Sequence, residues 1–80
     1  MADIKEDKVV DASGLSCPMP VVRAAQEMRG LAPGQILKIV ATDRGSLADI
    51  PAWADDTGNE LLDTQNEGTR FVFLVRKGAA

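Results

Sequence analysis

The only cysteine, Cys17, lies in a segment that neither hydrophobic periodicity nor surface polarity explains. Residues 14–20 read GLSCPMP. Two prolines separated by one residue would disrupt a helix interior, but the first helical turn tolerates them because its N–H groups have no intrahelical partner. Pro18 also favours extended backbone at Cys17, as a helix cap requires. The segment therefore predicts a helix start capped by Cys17, shaped by Pro18 and Pro20 and preceded by a turn at Gly14.

A thiol at that position is a candidate nucleophile. The helix dipole and the N–H groups of Met19 and Val21 would stabilise a thiolate, so we expect the pKa of Cys17 to lie below its usual value of about 8.5. The sequence contains no histidine, which excludes Cys-His pairs, His-ligated zinc and histidine bases within this chain. One exposed thiolate suits a carrier that accepts and donates sulfane sulfur better than it suits a hydrolase. The alternative is an inert, buried cysteine.

Other polar and apolar residues are weaker candidates for a site. Asp43 and Asp49 resemble the paired carboxylates of a metal or acid/base site, but a strand-end loop and a helix cap explain them more simply. Arg23 and Arg44 are candidates for steering an anionic persulfide or an acidic partner, with ordinary surface solvation as the alternative. Met19 is a candidate docking side chain, or it packs against the sheet edge. We predict no metal site.

Length and charge limit the class of protein. Eighty residues form one domain with a modest core, since a chain of this size buries only about 60% of its unfolded surface. The formal net charge is -3, and the few aromatic residues do not accompany a basic stripe, which argues against nucleic-acid binding. No apolar run reaches the length of a signal peptide or a membrane span, and a lone thiol survives best in a reducing compartment. We therefore expect a cytoplasmic monomer with a flexible segment at residues 1–7.

Hydrophobic periodicity and turn signals predict six elements in the order βαβαββ. The predicted strands cover residues 8–12, 35–42, 60–65 and 70–77, and the first helix covers residues 18–29. The second helix ends before Gly58. Its start stays open between Ser46 and Asp49, because Pro51 would lie past the first turn of a helix that begins at Ser46.

The last predicted strand is apolar on both faces at its middle, so we place it inside the sheet. We predict an α/β protein of the α+β two-layer sandwich type, in which a four-stranded mixed sheet carries both helices on one face with right-handed crossovers. The side chains that we expect to be mostly buried are Val21, Ala25, Met28, Ile39, Ile50, Trp53, Phe71 and Phe73.

The chain resembles the TusA family, also called SirA-like, of small sulfurtransferases marked by a Cys-Pro-X-Pro motif. The resemblance extends through residues 9–20 (VVDASGLSCPMP), Pro33-Gly34, Asp43, residues 49–51 (DIP) and residues 76–78 (RKG). It implies a single domain over residues 1–80, with the motif cysteine, here Cys17, at the start of the first helix.

Membership in this family would imply that Cys17 carries a persulfide sulfur and that no other cofactor is needed. The sulfur would come from a cysteine desulfurase or a rhodanese and would pass to a downstream sulfur-relay protein. We expect no direct contact with nucleic acid or with a membrane. Transfer RNA thiolation, sulfur oxidation and cofactor biosynthesis are all compatible with such a carrier.

Two positions depart from the commonest pattern of the family. Arg44 follows Asp43 where a proline is frequent, and Ala54 follows Trp53 where many members have a second cysteine. The missing cysteine removes an intramolecular disulfide but leaves the carrier step intact, and it argues against a thioredoxin-type reductase. The remaining alternative is a protein-binding or regulatory module, contacting proteins or RNA, in which Cys17 is incidental.

Overall fold

The computed structural model describes residues 4–79, which form four strands and two helices. In chain order the elements are β1 (Lys8–Ala12), α1 (Met19–Met28), β2 (Ile36–Ala41), α2 (Ser46–Asp56), β3 (Glu60–Asn66) and β4 (Phe71–Arg76). The predicted order βαβαββ is confirmed. The predicted bounds of the strands and of α1 differ from the observed ones by at most one residue.

The strands form one mixed sheet in the order β1-β2-β4-β3. β1 pairs with β2 in parallel, whereas β4 pairs antiparallel with both β2 and β3. A parallel pair needs a crossover connection, which α1 provides. Residues 71–75 of β4 are all buried, as expected of a strand that has a neighbour on each side. The predicted central place of the last strand is confirmed.

Both helices lie on one face of the sheet. α1 packs against β1 and β2, α2 packs against β3 and β4, and the two helices contact each other. Side chains that alternate along the strands meet the apolar faces of the helices. The resulting core contains Val10, Ala12, Leu37, Ile39, Ala41, Phe71, Phe73 and Val75 from the sheet and Ala24, Met28, Ile50 and Ala54 from the helices. The predicted two-layer sandwich is confirmed.

The predicted burial needs correction at three positions. Val21, Ala25 and Trp53 are only half-buried, whereas the other side chains predicted to be buried are so. In α1 the row that faces the sheet runs through Ala24 and Met28, four residues apart. Val21 and Ala25 therefore lie beside that row rather than in it.

The start of α2, for which the sequence leaves two positions open, lies at Ser46, with Gly45 as the cap residue. Asp49 is therefore in the first turn rather than at the cap. Pro51 lies inside the helix, where its missing N–H leaves the carbonyl of Leu47 without its usual donor four residues on. The helix continues past the proline because its apolar face packs on the sheet and on α1.

The parallel pairing brings the loops that follow β1 and β2 to the same edge of the sheet, since the last residues of the two strands are in register. Gly14 has a φ of 80°, in the left-handed region that favours glycine, and its N–H donates to Thr42 Oγ1 at 2.8 Å. This hydrogen bond joins the two loops. Cys17 and Asp43 follow in the chain and lie at that edge.

Asp7 connects the segment before β1 to β2. Its N–H donates to the carbonyl of Ile36, and its Oδ2 accepts the N–H of Ile36, both at 2.8 Å. The segment predicted to be flexible covers residues 1–7. Its first three residues lie outside the described part of the chain. Among residues 4–79 no helix is long and apolar enough to cross a membrane.

We expect Phe73→Ala to lower the free energy of unfolding by about 3–5 kcal/mol, because Phe73 is fully buried at the centre of the core and its loss leaves a cavity. Val9→Thr is the matched control on β1, where Val9 is 51% exposed, and it should change the stability by less than about 0.5 kcal/mol. Urea denaturation measures both. Equal losses in the two variants would contradict the assignment of the core to this face.

Candidate functional site

Cys17 is an exposed free thiol at the start of α1. The residue in the cap position is Pro18, one position later than predicted, and it makes no side-chain cap hydrogen bond. The peptide bond between Cys17 and Pro18 is cis. Pro20 is buried, so the first turn is anchored in the protein while the thiol before it faces solvent. The prediction that Cys17 itself caps the helix is therefore wrong by one residue.

The N–H groups expected to stabilise a thiolate are already engaged. The N–H of Met19 donates to the carbonyl of Ser16 at 2.8 Å, and that of Val21 donates to the carbonyl of Pro18 at 3.1 Å. Backbone oxygens within the same turn thus accept the hydrogen bonds that we expected the sulfur to receive. The start of α1 does not activate Cys17 through these two donors.

The partner of the sulfur is instead a carboxylate on the second helix. Cys17 Sγ donates to Asp49 Oδ2 at 2.9 Å. This hydrogen bond raises the pKa of the Cys17 thiol, and desolvation and the negative charges of Asp49 and Asp43 raise it further. The predicted lowering of the Cys17 pKa is wrong, because a neighbouring acceptor of the thiol proton favours the protonated form.

Gly45 leaves room for the carboxylate of Asp43 near the thiol. A Cβ atom at this position would lie 2.8 Å from Asp43 Oδ2, 3.7 Å from Asp49 Oδ2 and 3.7 Å from Cys17 Cβ. The first distance is too short for any side chain unless Asp43 moves. The absence of a side chain at Gly45 therefore lets the Asp43 carboxylate keep its position near the thiol, whereas Asp49 and Cys17 would meet such an atom only at ordinary van der Waals distance.

The assignment of Asp43 and Asp49 to a loop and a helix cap missed what the two carboxylates do. The two carboxylates lie close together, as a metal or acid/base site would require. Their common effect, however, is on Cys17, since both raise the pKa of its thiol. The signal that could have found them is the parallel pairing of β1 and β2, which brings the loop of Asp43 to the loop of Cys17. Among residues 4–79 no group of three or more potential ligands is arranged to hold a metal ion.

An open groove of about 520 Å³ runs from Cys17 along the surface between the two helices. Val21 and Trp53 contribute its apolar lining, and Asp49 and Asp56 contribute its charges. Trp53, expected in the core, is half-buried because it forms part of this wall. Next to the thiol, the groove therefore combines apolar side chains with negatively charged carboxylates.

The other residues that the sequence suggested for partner binding are Met19, Arg23 and Arg44, and none of them contributes to the pKa shift of Cys17. Met19, two residues after Cys17 in the chain, is 42% exposed, as a docking side chain requires. The charges that shift the pKa of Cys17 are carboxylates rather than Arg23 or Arg44. Arg23 instead contributes to lowering the pKa of Glu27, after the hydrogen bond and the charge of Lys8. Arg44 is exposed in the loop after β2.

We expect the pH midpoint of Cys17 alkylation by iodoacetamide to be higher in the native protein than in urea. The reason is that the native state binds the thiol proton more tightly than the unfolded chain does, so the stabilisation that this proton provides is lost as pH rises through the native pKa. Alkylation rates between about pH 6 and pH 11 give both midpoints. A native midpoint at or below the unfolded one would show that the helix start, and not Asp49, dominates.

Comparison with known proteins agrees with the sequence motif. A family model described as Sulfurtransferase TusA matches residues 8–77. The chain is 47% identical over 77 residues to the sulfur carrier protein TusA of Allochromatium vinosum, which covers 96% of this chain and 99% of that protein. It is also 47% identical over 75 residues to the putative sulfur carrier protein YrkI of Bacillus subtilis, with 94% and 100% covered.

The fold has a counterpart among solved structures. The crystal structure of the SirA-like protein from Desulfitobacterium hafniense superposes with a TM-score of 0.78, covering 89% of this chain and 97% of that one at 20% identity. This likeness concerns the fold alone, whereas the family model and the sequence identities extend over the motif around Cys17. The chain belongs to the TusA family of sulfurtransferases.

Proposed function

We propose that this sulfur carrier holds its cargo as a persulfide on Cys17 and passes the outer sulfur to a partner protein. The observation that carries the proposal is the exposure of the only thiol in the chain, at the end of an open groove. A sulfur that must be taken from one protein and delivered to another has to be reachable by both. A buried cysteine, the alternative in which Cys17 is inert, would be reachable by neither.

The chemistry needs little from the protein besides the thiol. In its thiolate form, Cys17 attacks the outer sulfur of a persulfide on the donor. A bond forms between Cys17 Sγ and that sulfur, the sulfur–sulfur bond of the donor breaks, and the donor leaves as a thiolate that takes up a proton. The sulfane sulfur is exchanged between two cysteines, so no external oxidant is required. Delivery to the acceptor is the same step with the roles reversed.

The partners that fit this chemistry are a cysteine desulfurase or a rhodanese as the donor and a sulfur-relay protein as the acceptor. Met19 and Val22 are apolar side chains that stay 42% and 37% exposed on the first turn of α1, the helix that begins two residues after Cys17. Exposed apolar groups around a reactive atom suit a transient protein contact. We propose that the chain needs no cofactor other than the bound sulfur and that it works in the cytoplasm, where a free thiol stays reduced.

We expect incubation with a cysteine desulfurase and free cysteine to add the mass of one sulfur atom at Cys17, because the exposed thiol accepts the outer sulfur of the desulfurase persulfide. Intact-protein and peptide mass spectrometry detect the added sulfur and its position. A thiol reductant should remove it.

The control for that experiment is Cys17→Ser, which keeps the shape of the site and removes the nucleophile. It should gain no sulfur and should not support sulfur transfer to an acceptor. Retained function of the serine variant in its host pathway would favour the alternative, a binding or regulatory module. A gain of the same mass by the serine variant would show that the sulfur is held elsewhere.

A further inference from the structure

Asp49 contacts the reacting atom of the site itself. The 2.9 Å hydrogen bond from Cys17 Sγ to Asp49 Oδ2 exists only while the thiol keeps its proton. Loss of that proton would leave two negative charges in contact on an exposed surface. The contact therefore opposes the thiolate that sulfur transfer requires.

The charges that face Cys17 from the neighbouring elements act in the same direction. Asp49 belongs to α2, and Asp43 belongs to the loop between β2 and α2; both raise the pKa of the thiol. Asp56, in the last turn of α2, is the second carboxylate that lines the groove, after Asp49. On the side of α1, the N–H groups of the first turn donate to backbone carbonyls. None of these groups compensates for a negative sulfur.

We propose that Asp49 keeps Cys17 in its unreactive thiol form until a sulfur donor places a cationic side chain against the Asp49 carboxylate. This inference rests on the proposed function and adds to it how the same site is switched on. The part of the donor that enters the groove would then be a basic segment. Its charge would complement Asp49 and Asp56, and its apolar groups would contact Val21 and Trp53.

The transfer step follows from this arrangement. The cation pairs with the carboxylate, the hydrogen bond to Asp49 is lost, and the thiol proton passes to solvent. The Cys17 thiolate attacks the outer sulfur of the donor persulfide, the sulfur–sulfur bond of the donor breaks, and the departing thiolate takes up a proton. When the donor leaves with its cation, the new persulfide on Cys17 faces Asp43 and Asp49 again.

The first test uses the isolated protein and needs no partner. Asp49→Asn removes the charge and should raise the rate of Cys17 alkylation at pH 7 by about tenfold, because a larger fraction of the thiol is then ionised. Asp49→Ala, which also removes the acceptor, should react at least as fast. Asp43→Asn should show a smaller increase, because Asp43 acts by charge without a hydrogen bond.

The matched control is Asp55→Asn, which makes the same change of charge on the same helix, outside the groove and without a contact to the thiol. Its alkylation rate should stay within about twofold of the wild-type rate, since exposed charges at greater distance are strongly screened. Circular dichroism confirms that each variant is folded. Equal rates for Asp49→Asn and Asp55→Asn would overturn the role of Asp49.

The second test compares two sulfur donors, inorganic polysulfide and a cysteine desulfurase charged with cysteine. Polysulfide brings no cation, so Asp49→Asn should accept sulfur from it faster than the wild type does. With the desulfurase, the same variant should show a lower kcat/KM through a raised KM, because the charge that pairs with the donor is gone. A variant that is faster with both donors would overturn release by a cation. A wild type that gains no sulfur from either donor would overturn the proposed function, while the alkylation rates would still decide whether Asp49 holds the thiol.

Discussion

The parallel pairing of β1 with β2 is the constraint on which the rest of this structure depends. Antiparallel neighbours would send the loops after these strands to opposite edges of the sheet. Parallel neighbours bring both loops to one edge, and the hydrogen bond from Gly14 to Thr42 holds them there. Parallel pairing requires a crossover connection, and α1 provides it. The helix that begins just after Cys17 therefore also connects the two parallel strands. The position of the thiol is thus a consequence of how the sheet is connected.

The site combines a firmly held backbone with an exposed thiol. Pro20 is buried two positions after the exposed Pro18, and Ala24 and Met28 continue the buried row of α1 against the sheet. The helix start is therefore fixed by packing in the core, while Cys17 lies outside it. This arrangement suits a small carrier, because a chain with a modest core can hold one reactive atom in place without enclosing it.

Electrostatics gives the site its second property. A nucleophilic cysteine is often described as activated by its surroundings, yet the groups around Cys17 favour the protonated thiol. A protonated thiol is an advantage for a carrier while no partner is bound, since the thiolate is the form that reacts with oxidants and with disulfides. Control by a carboxylate also makes reactivity dependent on what binds there. Gly45 is part of this control, because any side chain at that position would displace Asp43.

Much of this protein follows from its sequence alone. The continuous apolar run of β4 predicts the central strand, and the turn signals between the elements predict their order. The segment GLSCPMP indicates Cys17 as the candidate nucleophile and identifies the family to which the chain belongs. These features are local, since they depend on periods of two or about four residues and on the conformations that proline and glycine allow. The tertiary structure decided the partner of the thiol. Cys17 and Asp49 are 32 residues apart, and their contact depends on the packing of α1 beside α2. The contact between Cys17 and Asp49 also decided the direction of the Cys17 pKa shift, because Coulomb and hydrogen-bond energies depend on distances of a few ångströms. The spacing of residues along the chain cannot specify such distances.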